Sequence, residues 1–92
     1  MHKFLIHYKG DHVGVAVEDI EKNEKVLGVH MDDDSIIEVV AKEAVPLGHK
    51  ISVAELPPNQ PVIEYMVQIG SAPNGLSVGD YVHTHNIKTS RW

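Results

Sequence analysis

The stretch Val45-Pro46-Leu47-Gly48-His49-Lys50-Ile51 carries the pattern that decides the fold. It begins and ends on an apolar residue and places a glycine at its fourth position. Leu56-Pro57-Pro58-Asn59-Gln60-Pro61-Val62 repeats the frame with asparagine in that place, and Leu76-Ser77-Val78-Gly79-Asp80-Tyr81-Val82 repeats it with glycine. Glycine and asparagine tolerate positive φ, so each segment reads as a tight turn that feeds a strand. Three such units imply a compact β domain full of corners. They are too short for a solenoid, which stacks longer repeats.

The flanking sequence agrees. Phe4-Leu5-Ile6-His7-Tyr8, Val13-Gly14-Val15-Ala16-Val17, Val26-Leu27-Gly28-Val29 and Ile36-Ile37-Glu38-Val39-Val40 are short and rich in β-branched residues. Gly10-Asp11, Asp32-Asp33-Asp34 and Pro46-Leu47-Gly48 punctuate them. Helix competes over residues 17–25, which hold good helix formers on a thin apolar stripe. It also competes over residues 35–43, which are too β-branched to prefer it. The expectation is an all-β chain with little helix.

Composition narrows the function classes. Ninety-two residues make one small domain, spanning 1–92, with room for a modest core. A net charge of -5 argues against nonspecific nucleic-acid binding, which needs clustered cations. No apolar run approaches membrane-spanning length, and residues 1–7 are too quickly interrupted for a signal peptide. The absence of cysteine excludes disulfides, thiolate zinc sites and thiol nucleophiles together. The cytoplasm is the expected compartment.

The chemistry concentrates near the end, in Val82-His83-Thr84-His85-Asn86. On an extended strand His83 and His85 face the same way, with Thr84 opposite and an amide from Asn86 just beyond. Such imidazoles can bind metal, move protons or hold an anion. A stable metal site needs further ligands, and His49, His30, Asp11 and the Asp32–Asp34 run are the available types. His49-Lys50, leaving the turn at Gly48, offers an imidazole and an ammonium to a carboxylate. Two surface imidazoles and an ordinary polar strand start are the plain alternatives. The three aspartates lack the glycine and distant glutamate of an EF-hand loop and read as a solvated turn. Gly10-Asp11-His12-Val13-Gly14 reads as a corner between strands rather than a phosphate cradle. His2, His7, His12 and His30 read as bystanders. Trp92, beside Arg91, reads as an anchor for a partner chain.

Four segments in order carry a family resemblance that covers residues 4–86. They are Asp11-His12-Val13-Gly14-Val15-Ala16, Pro46-Leu47-Gly48-His49-Lys50, Val62-Ile63-Glu64-Tyr65 with Ile69-Gly70, and Gly79-Asp80-Tyr81-Val82-His83-Thr84-His85-Asn86. Together they resemble the small N-terminal SAF-type domain of the altronate and galactarate dehydratase family. The ending Asn86-Ile87-Lys88-Thr89-Ser90-Arg91-Trp92 looks most like the separate small subunit of the related sulfolactate sulfo-lyases. The His-Thr-His-Asn wording is closer to the sugar-acid dehydratases. Two departures stand out: Met66 where members often carry glycine, and His12 where they often carry asparagine.

The resemblance implies a β-clip fold of short bent strands. It implies a lyase that removes water, or sulfite, from a position β to the carboxylate of a 2-hydroxy acid. A large subunit would complete the site, and a divalent metal, iron by family habit, would sit mainly there. By motif match His83, His85 and Asn86 are the candidate catalytic residues, with His83 and His85 also the candidate metal-facing pair. His49 and Lys50 are the candidate substrate-binding residues. On that reading the chain alone is inactive. A SAF-type module that binds carbohydrate or metal without catalysis is the alternative, and homo-oligomerisation is compatible with either.

Overall fold

The computed structural model describes residues 2–64, 67–83 and 87–89. Its strands are β1 (His2–Ile6), β2 (Val13–Ala16), β3 (Lys25–His30), β4 (Ile36–Val40), β5 (Lys50–Ser52), β6 (Gln60–Glu64), β7 (Val67–Ala72), β8 (Tyr81–Val82) and β9 (Lys88–Thr89). The described residues hold no helix, so the fold is all-β. Residues 17–25 form a corner and the start of β3, and residues 36–40 form β4. β-branching at Ile36, Ile37, Val39 and Val40 decides the second case, as expected.

Six strands make one sheet in the order β4-β3-β1-β2-β5-β8, and three make another in the order β6-β7-β9. β1 and β3 run parallel, while the other paired strands are antiparallel. Phe4, Ile6, Ala16, Ile20, Val26, Val39, Ala41, Val45 and Ile51 fill one core on one face of the large sheet. Val13, Val62, Ala72, Leu76 and Val82 fill a second core, between the two sheets. The Phe4 ring lies over Gly28, its register partner, and against Gly14, where any Cβ would overlap it. Those glycines are vacancies that the ring fills.

The repeated turn frame governs the corners. Gly48, Asn59 and Gly79 all have positive φ, at 85°, 67° and 95°. A fourth unit, Ile20-Glu21-Lys22-Asn23-Glu24-Lys25-Val26, escapes the sequence reading because its helix formers mask the turn. Asn23 has φ 69°. Each unit closes with the same backbone bond, from Glu24 to Glu21, His49 to Pro46, Gln60 to Pro57 and Asp80 to Ser77. In each, the left-handed residue donates its N–H to a small buried residue: Asn23 to Ala41, Gly48 to Ala16, Asn59 to Ala72 and Gly79 to Ser52. The units also pair off, since Ile20 bridges Val45 and Leu56 bridges Leu76 through reciprocal hydrogen bonds. Turn and clasp together satisfy backbone groups that a bent strand would otherwise leave open.

The Asp32–Asp34 run is a turn, as expected. Asp33 accepts from the backbone N–H and hydroxyl of Ser35 and pairs with Lys9, while Asp32 accepts the Lys9 N–H. Gly10, at φ 96°, makes the corner between β1 and β2.

Candidate functional site

The antiparallel register of β5 and β8 builds the site. Lys50 lies opposite Val82 and Ile51 opposite Tyr81, which sets His49 opposite His83. His49 arrives there because the turn at Gly48 ends one residue before β5. Side chains alternate across a strand, so His49, Tyr81 and His83 share one face and Lys50 and Val82 the other. The ring centroids of His49 and His83 are 5.6 Å apart, those of Tyr81 and His83 5.3 Å, and those of His49 and Tyr81 5.6 Å. The three rings form a triangle at the rim of the first core, against which Tyr81 packs.

Within the triangle the Tyr81 hydroxyl and His49 Nδ1 are hydrogen-bonded at 2.8 Å. The Tyr81 backbone N–H donates to the Glu43 carboxylate at 3.0 Å, tying β8 to the segment before the Gly48 turn. His49 is half-buried and His83 exposed, so the imidazoles form the accessible edge of the cluster. This arrangement can present N–H donors or basic nitrogens to an anionic ligand.

Lys50 has a different neighbour. Its ammonium lies 3.7 Å from the carboxylate of Glu64, which is buried at the end of β6. The structure therefore does not bring His49 and Lys50 to one face, and a single ligand on the imidazole side does not contact both directly. His83 is brought to His49. His85 and Asn86 lie outside the described residues, as do Met66, Arg91 and Trp92, and so does any pairing of His83 with His85. Of the strand expected through residues 82–86, the described part is in β8, which spans Tyr81–Val82, and residues 84–86 lie outside the described residues. The His83 carbonyl accepts the Ile87 N–H at 3.1 Å.

Sequence reasoning missed Tyr81, Glu43 and Glu64. The signal for Tyr81 was available: it precedes His83 by two, the same alternation used to pair His83 with His85. Glu43 and Glu64 had no such signal, because long-range register brings them in. His12 also proves to be more than a bystander. Its Nδ1 accepts the Ile63 N–H at 3.0 Å, while the His12 backbone N–H donates to the Ile63 carbonyl, joining the β1–β2 corner to β6. An asparagine amide oxygen would reach the same place as this imidazole Nδ1.

A recess of about 260 Å³ lined by His7, Tyr8, Met31 and Asp32 lies on the β1–β3 side, with β2 between it and the ring cluster. Among the described residues no group of three or more His, Asp or Glu side chains could hold a metal ion. No helix among them is long and apolar enough to cross a membrane.

Comparison with known families matches residues 2–90 to the altronate/galactarate dehydratase SAF domain. The chain belongs to this family. The SAF-domain match covers both sheets and all four turn units. Among curated proteins, the (2R)-sulfolactate sulfo-lyase subunit alpha of Chromohalobacter salexigens is 39% identical over 90 residues, covering 97% of this chain and 96% of that one. The subunit of the same name from Paracoccus pantotrophus is 40% identical over 67 residues, covering 73% of this chain and 100% of that one. The altronate dehydratase of Bacillus subtilis is 30% identical over 90 residues, covering 98% of this chain but 17% of the enzyme. This SAF-domain chain thus matches one relative nearly end to end and about a sixth of another.

Proposed function

We propose that this chain is the small subunit of a lyase that acts on a 2-hydroxy acid, with a separate large subunit completing the active site. The observation that carries the reading is the end-to-end match to a subunit alpha, at 96% of that chain's length. Sulfite is the favoured leaving group over water, because the sulfo-lyase subunits are the more similar relatives, at 39% and 40% identity against 30% for the altronate dehydratase. The substrate class is then a 3-sulfo-2-hydroxy acid such as (2R)-sulfolactate.

The chemistry sets the requirements. A base removes the proton on the carbon bearing the hydroxyl. The electron pair forms a carbon–carbon double bond, the carbon–sulfur bond breaks, and sulfite departs with its pair. The enol left behind becomes a 2-oxo acid on taking a proton at carbon. Two anionic groups and a developing enolate need donors, and a base is needed at the reacting carbon. His49 and His83 offer imidazoles on one accessible face, and His85 and Asn86 join them by motif. His83 and His85 are assigned proton transfer, Asn86 and His49 ligand contact. Lys50 acts from the other face, against Glu64, and reaches a ligand by its field rather than by touch.

The divalent metal is proposed to belong to the large subunit. The described imidazole pair falls short of a complete ligand set on its own. The cytoplasm remains the proposed compartment, in keeping with a chain that has no cysteine.

The test is co-production with the large dehydratase-like partner. Sulfite release from sulfolactate by the complex, and none by the 92-residue chain alone, is the expected result. Turnover by the chain alone, or dehydration of sugar acids with no sulfite release, would overturn it.

A further inference from the structure

Tyr81 was not among the residues that motif matching assigned, yet it is the best-anchored member of the ring cluster. Its backbone N–H is held by Glu43, its ring packs against the first core, and its hydroxyl meets His49 Nδ1 at 2.8 Å. His49 stands just outside β5 on a half-exposed turn exit, where an imidazole would otherwise sample several rotamers. Anchoring on one side and freedom on the other mean that the phenol sets the imidazole, and not the reverse.

We propose that Tyr81 is a positioning residue that donates its O–H to His49 Nδ1 and so fixes the tautomer of His49 with the proton on Nε2. A neutral imidazole carries one proton, so filling the acceptor site at Nδ1 leaves Nε2–H as the donor. His49 makes no hydrogen bond through Nε2 to any described residue, and that edge of the ring is the one free to meet a ligand. The imidazole then acts as a neutral N–H donor to an anionic oxygen, a carboxylate or sulfonate of the substrate. It does not act as the base. His83, 5.6 Å away across the strand pair, keeps that part. The inference rests on the lyase reading for its substrate but not for its tautomer.

Two measurements test it. The first is the nitrogen spectrum of the histidine-labelled full chain, which reports which ring nitrogen of His49 is protonated in the neutral form. Nε2–H is expected, and Tyr81→Phe should shift His49 toward a mixture of tautomers. Nδ1–H in the unaltered chain overturns the proposal without any variant. The second is kinetics of the complex with its large subunit. Tyr81→Phe should raise KM about fivefold to tenfold, the loss of one ligand contact held in place by a hydrogen bond, with kcat changed less. An unchanged KM together with an unchanged tautomer in Tyr81→Phe overturns it as well. Should the unaltered complex turn over no hydroxy acid, the lyase reading fails, and the nitrogen spectrum still decides the role of Tyr81.

Discussion

His12 and Gly28 show how single positions set this structure. The Ile63 N–H has one acceptor on His12, so His12→Ala removes it and should cost about 1–2 kcal/mol in denaturant unfolding. His12→Asn restores an oxygen in the same place and should fall within about 0.5 kcal/mol of the parent chain. Gly28 leaves the room that the Phe4 ring occupies, and Phe4 is fully buried. Gly28→Ala forces the ring or the strand to move and should cost about 1–3 kcal/mol, read as a lowered unfolding midpoint. At the proposed site, His83→Ala in the complex should lower kcat by about 10²- to 10⁴-fold, the range for losing a proton-transfer group. An unchanged kcat would remove His83 from that role.

At the scale of elements, the recurring turn is the unit to perturb. Asn23 and Asn59 sit in left-handed backbone without being glycine. Replacing Asn23 by Gly should leave stability within about 0.5 kcal/mol, while Asn23→Val should lower it by about 1–2 kcal/mol, because a β-branched side chain fits that region worst. The same pair of changes at Asn59 should rank identically if the two turns are equivalent. The three units at residues 45, 56 and 76 were legible because glycine or asparagine falls at a fixed place between apolar ends. The unit at residue 20 was not, since Glu21, Lys22, Glu24 and Lys25 are good helix formers and local preference hides a turn that the Ile20–Val45 bridge enforces. The alternation used to pair His83 with His85 also selects Tyr81, which the structure brings against His83, while the pairing with His85 lies outside the described residues.

For the whole molecule, acid should loosen the fold. The Asp33 carboxyl is held well below the usual carboxylate range by Lys9 first and by Ser35 next. Glu24 is lowered by the Glu21 backbone N–H and then by Lys3. Both carboxyls titrate lower in the folded chain than in the unfolded one. Their stabilising contribution is therefore full above the unfolded value of about 4 and is lost as pH falls through the folded values. The urea midpoint should drop as pH falls below about 4, and Asp33→Asn with Glu24→Gln should make that drop shallower. A drop of equal steepness in the double variant would rule these pairs out as its source. What the sequence alone determined was the class of the molecule: β-branched runs cut by residues that accept positive φ can form little else, and the ordered segments from Asp11 to Asn86 carry the family. Tertiary structure alone decided which of those residues meet. Strand register put Tyr81 on His49 and sent Lys50 to Glu64, because neighbours along a strand face opposite ways and their partners come from distant segments.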